Sequence, residues 1–407
     1  MKSKKIDTRQ NQELIKIRNQ RRVLNYILTK GKITIKDLSD ELELSVTTII
    51  TIIDNLIDYG IVGECGFMPT QRGRRPTCYK INSNFKYIVA IDLGQTSMLV
   101  GISNLDGDFL EIKSKTIELT ESEVSFSTYL AEVVENLLFN NNISLEEVAM
   151  IVIGNVGVVD EKTGCISYAA GTAIWMSQPL KLILEEHFHC PVIVKNDINL
   201  STIGEHKRGV AQDASSFVFF RFDVGAKAGI VLNNELYEGV DGAAGEIGFS
   251  VYSFENYDSS GNDRFASKIK IEDKIALNNL VSYAWEEVAQ NGEGPLFTYC
   301  VATDQKLNIK ILGDHFLLDN KANKILTDYI ILIGNLIVNV IAVLNVPIVI
   351  LGGEISYLGE AFLSKLQKYV ENNCFFAPEI KYSKMNQHGG LIGAATIGIE
   401  QFINSIN

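Results

Sequence analysis

Apolar residues near the start of the chain recur at the spacing of short amphipathic helices. A first helix is predicted over about residues 12–29 from the apolar positions Leu14, Ile15, Val23, Leu24, Ile27 and Leu28. Thr34 and Asp37 then form a capping-box pattern at the start of a second helix. Ser45 is the predicted N-cap of a third helix over residues 46–59, which ends at a glycine. Three short helices, with a tight turn between the second and the third, are typical of a helix-turn-helix.

The third predicted helix has an apolar face and a polar face. The residues predicted to pack inward are all apolar: Val46, Ile49, Ile50, Ile53, Leu56 and Ile57. Thr47, Thr48 and Thr51 share the other face near the N-terminal end, which enters the major groove of DNA in such motifs. A threonine can offer a hydroxyl to a base edge or a methyl group to thymine. With the capping Ser45, these threonines are the candidate base contacts, and the alternative is that they simply face solvent.

A basic arm follows this helix. Two β-like stretches, residues 61–67 and 76–81, flank it as the strands of a wing hairpin would. Arg72, Arg74 and Arg75 lie beside a glycine and a proline, and arginines on a slender segment suit the narrow minor groove of A·T-rich DNA. A charged linker is the usual explanation of such a run. Its position directly after a helix-turn-helix favours contact with double-stranded DNA instead.

Charge is unevenly distributed along the chain. Residues 1–86 carry 16 Lys and Arg residues against 9 Asp and Glu residues, whereas the remainder carries 21 against 40. A basic head on an acidic body indicates a polyanionic partner for the head alone. Hydrophobic residues make up 46% of the chain and charged residues 21%, which is ordinary for a folded protein and excludes a disordered one.

The cysteines and the N-terminal sequence indicate the cellular compartment of the protein. The six cysteines are scattered without a CxxC pair, which fits neither a disulfide framework nor a zinc ribbon, so we expect reduced thiols. The N-terminal sequence lacks the apolar core of a signal peptide. The apolar stretch over residues 330–350 is interrupted by asparagines and a proline, which indicates a buried helix and strand rather than a membrane span. These features favour the cytoplasm.

From residue 87 onward, apolar β-like runs alternate with longer helical patterns, which indicates an α/β architecture. This region contains a series of motifs rich in glycine and carboxylate: Ile91-Asp-Leu-Gly-Gln-Thr-Ser97, Ile153-Gly-Asn-Val-Gly-Val-Val-Asp160, Lys195-Asn-Asp-Ile-Asn199, Gly242-Ala-Ala-Gly-Glu-Ile-Gly248, Leu351-Gly-Gly-Glu354 and Gly390-Leu-Ile-Gly-Ala-Ala395. In this order and spacing the set resembles the ROK family of repressors, open reading frames and kinases, over essentially all of residues 87–407. The N-terminal extension with its basic arm resembles the repressor branch, which includes xylose and N-acetylglucosamine repressors. The resemblance implies an actin-like ATPase fold with two α/β lobes and a ligand cleft between them.

The phosphate-binding motifs depart from those of kinases in the family. The kinases carry D-x-G-G-T-K, whereas this chain has Gln95 and Ser97 at the second glycine and at the lysine. Their second phosphate loop is glycine-rich, and the matching segment here begins at Asp223 and contains Lys227. These side chains stand where backbone N–H groups must approach phosphate, and Asp223 adds a negative charge. We therefore expect no ATP binding, no kinase activity and no cofactor.

The resemblance also assigns a sugar pocket. Its residues are Asn196, Asp197, Glu246 and the backbone near Gly157, and Glu272 matches a further glutamate that touches sugar in relatives. Asp197 matches the catalytic base of the family kinases, and without a phosphoryl donor it can only accept a hydrogen bond from a sugar. The alternative is a buried polar network that joins the two lobes.

The zinc site of the family is expected to be absent. Phe249 stands at the position of its histidine, and residues 262–272 contain no cysteine where the family has a cysteine-rich segment. Because that histidine also contacts sugar in relatives, its loss puts the identity of the ligand in question.

The predicted organisation has three parts. Residues 1–85 form a winged helix-turn-helix with a basic arm, residues 86–195 with about 391–407 form a first α/β lobe, and residues 196–390 form a second lobe. This organisation predicts a repressor of carbohydrate genes that binds operator DNA and a sugar or sugar-derived effector. The resemblance implies a homodimer or higher oligomer, which would present two heads to a two-fold operator. The alternatives are a sugar kinase with an added DNA-binding head, and a regulator whose sensor no longer binds sugar.

Overall fold

A computed structural model describes residues 8–69, 75–94, 96–117, 125–168, 175–223, 225–253, 269–290 and 292–406. The N-terminal head consists of α1 (Thr8–Lys30), β1 (Ile33–Thr34), α2 (Ile35–Leu42), α3 (Val46–Asp58), β2 (Val62–Phe67) and β3 (Thr77–Ile81). The three strands form an antiparallel sheet in the order β1-β3-β2. The predicted winged helix-turn-helix is confirmed, with α1 starting four residues before its predicted beginning.

Local side-chain caps set the starts of α2 and α3. Thr34 Oγ1 accepts a hydrogen bond from Asp37 N, and the Asp37 carboxylate accepts one from Thr34 N, which completes the predicted capping box. Ser45 Oγ accepts a hydrogen bond of 3.1 Å from Thr48 N at the start of α3. Such caps satisfy backbone donors that have no partner inside the helix.

The buried face of α3 differs from the predicted one. Ile49, Ile52 and Ile53 are buried, whereas the exposed fractions of Val46 and Ile50 are 48% and 39%. Ile57 is also exposed, at 36%. The inward assignment of Val46, Ile50 and Ile57 was therefore wrong. The rest of the head covers only one face of α3, and these three side chains lie outside that face.

The prediction of six reduced thiols was wrong for one pair. Cys65 of β2 and Cys78 of β3 form a disulfide, with Cα atoms 5.5 Å apart. The two cysteines are 13 residues apart in sequence, and only the pairing of the two wing strands brings them together.

The first lobe contains a five-stranded sheet in the order β10-β7-β4-β5-β6. Its elements are β4 (Tyr87–Leu93), β5 (Ser97–Ser103), β6 (Phe109–Thr116), α4 (Phe126–Asn140), β7 (Val148–Asn155), β8 (Val158–Val159), β9 (Ile166–Tyr168), α5 (Leu180–Phe188), β10 (Val192–Asn196) and α6 (Asp197–Arg208). Strands β10, β7 and β4 are parallel, and β5 and β6 continue the sheet in antiparallel pairing.

The second lobe repeats this arrangement in the order β17-β16-β11-β12-β13, with three parallel strands followed by antiparallel pairing. The elements from here to the C-terminus are β11 (Phe217–Arg221), β12 (Lys227–Leu232), β13 (Glu235–Leu236), β14 (Val251–Ser253), β15 (Ile269–Lys270), α7 (Glu272–Ile275), α8 (Leu277–Ala289), α9 (Pro295–Thr303), α10 (Ile309–Asp314), α11 (Asn320–Leu344), β16 (Ile348–Gly352), α12 (Gly359–Asn373), β17 (Glu379–Tyr382) and α13 (Gly389–Ser405). Short 3-10 helices cover Leu145–Glu147, Ile247–Phe249, Gly353–Leu358 and Asn386–His388.

Helix α11 is the one helix of the described chain that is long and apolar enough to cross a membrane by length and composition. Half of its most apolar window is buried inside the protein, where residues such as Ile333 and Ile337 pack in the core of the second lobe. Strand β16 follows it directly. The interpretation of residues 330–350 as a buried helix followed by a buried strand agrees with this packing.

Helix α13 connects the cleft to the head. It packs along α6 and against β4 and β7, and a side chain at Gly393 would collide with the backbone oxygen of Leu200 in α6. At its other end, Asn404 Oδ1 accepts a hydrogen bond of 2.9 Å from Asn25 Nδ2 of α1, and Phe402 contacts Phe85. The N-terminal part of α13 therefore contacts α6, and its C-terminal end contacts the head.

Candidate functional site

The carboxyl ends of strands from both lobes border a cavity of about 620 Å³. Its lining includes Asp92 at the end of β4, Asp197 at the start of α6, Arg221 at the end of β11 and Gly390 in α13. Ligands of open α/β folds bind at such strand ends. Of the five residues predicted to bind sugar, Asp197 is the one that lines this cavity.

Asp197 is held by two cations. It is 2% exposed, its carboxylate pairs with the Arg221 guanidinium, and Lys227 Nζ lies 2.9 Å from its Oδ1. Burial by itself would raise the pKa of Asp197, but the charges and hydrogen bonds of Arg221 and Lys227 lower the pKa to about 2. Asp197 is consequently a carboxylate with a weak affinity for protons.

The same arginine links further carboxylates in the cleft. Arg221 Nε lies 3.2 Å from Asp223 Oδ2, while Asp223 Oδ1 is buried with no hydrogen-bond partner among the described residues. Burial raises the pKa of Asp92 to about 7; the positive charge of Arg221 lowers this pKa, and the negative charge of Asp197 raises it further. Arg221 thus pairs with Asp197 and Asp223 and also acts on the charge of Asp92.

The predicted sugar residues lie around this network. Asn196 Nδ2 donates a hydrogen bond of 2.7 Å to Gly157 O, which ties the loop after β7 to the start of α6. Burial raises the pKa of Glu246; the positive charge of Lys227 lowers this pKa, and the nearby acidic groups Asp197 and Glu272 raise it further. These contacts and charges link the five residues to one another, and their role in ligand binding stays a prediction.

Glu272 contacts the loop that carries Glu246. A Cβ atom at Gly248 would lie 2.7 Å from Glu272 Oε2, so the glutamate packs directly on this glycine. Phe249, at the position of the family's histidine, stacks against Lys270, whose Nζ lies 4.0 Å from the ring centroid. Residues 262–268 of the segment expected to lack zinc ligands lie outside the described residues, so the absence of zinc stays a prediction.

Sequence reasoning missed two polar residues in this region, Arg221 and Asn155. Arg221 was not considered, although a charged residue at the end of an apolar strand was a usable signal. Asn155 was also overlooked; it is fully buried at the end of β7, and its Oδ1 accepts a hydrogen bond of 3.0 Å from Trp175 Nε1. Trp175 in turn stacks on Phe126, so this tryptophan anchors the core of the first lobe.

The candidate DNA face lies on α3. Ser45, Thr47 and Thr51 are exposed and Thr48 is half-buried, so the helix presents the predicted residues at its N-terminal end. Arg75 is exposed at the start of the strand-forming segment that leads into β3. Arg72 and Arg74 lie outside the described residues. Contact of any of these residues with DNA stays a prediction.

Comparison with known proteins identifies the larger region. The profile of the ROK family matches residues 88–401. The chain belongs to the ROK family. A profile described as winged helix-turn-helix DNA-binding matches residues 18–62, so a DNA-binding head precedes the ROK domain. This combination makes the chain a DNA-binding transcriptional regulator.

ROK relatives include both regulators and enzymes. A putative xylose repressor from Caldicellulosiruptor sp. (strain Rt8B.4) is 27% identical over 403 residues, covering 97% of this chain and 98% of that protein. An N-acetylmannosamine kinase from Haemophilus influenzae is 30% identical over 218 residues, covering 53% of this chain and 66% of that enzyme. The relatives matched over nearly the whole chain include repressors, and the relatives matched over a part of it include a kinase.

Solved structures confirm the fold. A ROK family transcriptional regulator, described as a homologue of the E. coli MLC protein, superposes with a TM-score of 0.77 at 21% identity, covering 96% of this chain and 97% of that chain. A ROK family glucokinase from Streptomyces griseus, solved with glucose and AMPPNP, gives a TM-score of 0.62 at 21% identity, covering 76% of this chain and 98% of that chain. The part shared with the kinase is the two-lobed domain, and the regulator shares nearly the whole chain.

Proposed function

We propose that the chain is a sugar-responsive repressor whose ROK domain binds a sugar without phosphorylating it. The ion pairing of Asp197 with Arg221 and Lys227 carries this proposal. Similarity to proteins named xylose repressor over nearly the full length supports a repressor and makes a pentose such as xylose the first candidate effector.

The charge arrangement argues against phosphoryl transfer. A general base works best when its pKa lies near the operating pH, and the pKa of Asp197 is about 2. On the donor side, Asp223 adds negative charge beside the position of the phosphates, and Arg221 is already engaged by Asp197 and Asp223. Removal of the proton from the sugar hydroxyl and binding of the phosphoryl donor are both disfavoured by these charges.

We expect no sugar-kinase activity. A coupled assay with ATP over pentoses, hexoses and amino sugars should stay at the rate measured without sugar, because Asp197 is a poor base and the donor site is acidic. An active ROK glucokinase serves as the positive control. Reproducible turnover that disappears in Asp197→Asn would contradict the proposal and favour the kinase alternative.

Glu246 is the best-placed residue for testing sugar binding. It is partly exposed and interacts with the charges of Asp197 and Lys227, whereas Asn196 and Asp197 are buried in contacts within the protein. Truncation of a charged hydrogen-bond partner typically costs about 1.5–3 kcal/mol, so Glu246→Ala should weaken binding of the effector roughly tenfold or more. The effector itself is found by the upward shift of Tm across the same panel of sugars.

The matched control is Glu235→Ala, which removes a carboxylate from an exposed position on β13. Equal loss of effector binding in both variants, or no loss in Glu246→Ala, would place the effector elsewhere. Affinity for DNA without effector should be the same in both variants, because neither residue lies in the head.

The fold offers a route from effector to DNA. A ligand near the start of α6 acts on the helix that packs along α13, and α13 contacts α1 of the head through Asn404 and Asn25. A shift of α13 would therefore change the position of the head, which is the coupling that a ligand-controlled repressor needs. In a two-fold oligomer the same shift would change the spacing of two heads on the operator.

A further inference from the structure

The exposed face of α3 carries an isoleucine among its threonines. Helical spacing places Thr47, Ile50 and Thr51 on one face, since residues three and four apart are neighbours. Ile50 is 39% exposed, and both threonines are exposed. One turn further along, the exposed Asp54 ends the uncharged part of this face. An isoleucine is therefore available at the end of the helix that enters the major groove in such motifs.

The threonine hydroxyls on this face already have partners. Thr51 Oγ1 donates a hydrogen bond of 3.0 Å to Thr47 O within the helix. The Thr47 and Thr48 hydroxyls lie 2.9 Å and 2.8 Å from Ser45 Oγ, in the same network that caps the helix. Use of these hydroxyls on base edges would compete with the cap and with the helix backbone. Their methyl groups carry no such competing interaction.

The DNA bases offer one apolar group in the major groove, the C5-methyl group of thymine. We propose that α3 recognises thymine methyl groups through Ile50 and the methyl group of Thr51, and that hydrogen bonds from threonine hydroxyls contribute little to its base preference. This inference rests on the proposed function, in which the head binds operator DNA. It predicts that the preferred operator has A·T pairs where α3 contacts the groove.

Deoxyuridine tests the proposal because it differs from thymidine only by the methyl group. The full chain selects its best duplex from a random library of about 30 base pairs, and each thymine is then replaced singly by deoxyuridine. Loss of one buried methyl contact should weaken binding about fourfold at the contacted positions. Ile50→Ala should bind the selected duplex less tightly and should lose most of its discrimination between thymine and uracil at one position.

The matched control is Ile57→Ala. Ile57 has a similar exposure of 36% on the same helix, about 10 Å further from the end that enters the groove. This variant should keep the discrimination of the wild-type chain. A change in discrimination equal to that of Ile50→Ala would reflect a general effect on the helix and would overturn the assignment of Ile50.

Two substitutions at Thr51 separate its methyl group from its hydroxyl. Thr51→Val keeps a methyl group and removes the hydroxyl, and should bind within about twofold of the wild-type chain. Thr51→Ser keeps the hydroxyl and removes the methyl group, and should bind about fourfold more weakly. The reverse order, or specific binding that is insensitive to deoxyuridine, would overturn this inference and leave the proposed function intact. If the wild-type chain selects no specific duplex, the proposed function fails and this inference fails with it.

Discussion

The Arg221→Ala/Lys227→Ala double variant is expected to lose about 3–5 kcal/mol of unfolding free energy, the cost of leaving a buried charge without its partners. Asp197 is 2% exposed, and these two side chains are the cations paired with it. Chemical denaturation monitored by circular dichroism measures the loss. The two substitutions remove charge from two different strands of the second lobe. Either single variant should lose less unfolding free energy, because the other cation still pairs with Asp197.

Adding Asp197→Asn to the double variant is the matched test of this explanation. It removes the buried charge while keeping the side-chain volume, and should recover most of the lost stability. Lys381→Ala serves as a surface control, because its pair with Glu379 is exposed and worth at most about 1 kcal/mol. A double variant as stable as the wild-type chain, or no recovery on adding Asp197→Asn, would show that the ion pairs do not stabilise the cleft.

The pH dependence of stability has a definite sign at Asp197. The pKa of this carboxyl is about 2 in the folded protein against an ordinary value of 3.8. A carboxyl with a lowered pKa contributes stability at pH values above its ordinary pKa, and this contribution is lost as the pH falls toward the folded-state value. The wild-type chain should therefore lose this part of its stability between about pH 4 and pH 2, and Asp197→Asn should lack that part of the acid transition.

Replacement of Arg72, Arg74 and Arg75 by alanine should weaken binding to all DNA sequences by about two orders of magnitude near 0.1 M salt. Each arginine that neutralises a phosphate releases counterions, so the slope of log affinity against log salt should fall by about 1 per contact. Fluorescence anisotropy with the full chain on the selected duplex and on a random duplex, at four or more salt concentrations, measures both quantities.

The control for net charge is the triple variant Lys306→Ala, Lys310→Ala, Lys324→Ala. These three lysines are exposed in the second lobe, away from the head, and their loss removes the same total charge. The control should change the salt slope by much less than the arginine variant. An unchanged slope in the arginine variant would mean that the arm does not contact DNA and that the basic head is only a solvated surface.

Much of the head could be predicted from sequence because its elements depend on residues close together in the chain. The capping box of Thr34 and Asp37 and the cap at Ser45 join residues three apart, and the structure contains both. The ROK domain could be predicted for a different reason, since its motifs occur in a recognisable order along the chain. Neither kind of signal depends on which distant residues meet.

What the sequence alone determined was therefore the two kinds of domain and their order, and it supplied candidate site residues. Tertiary structure decided which groups those residues contact. Arg221 lies 24 residues from Asp197, and only the approach of β11 to the start of α6 pairs them and lowers the pKa of the carboxyl. In the same way, the sequence pattern predicts that Ile50 packs inward, and the packing of the head leaves it exposed. Burial and charge pairing depend on contacts between distant parts of the chain, and hydrophobic periodicity along one helix does not contain that information.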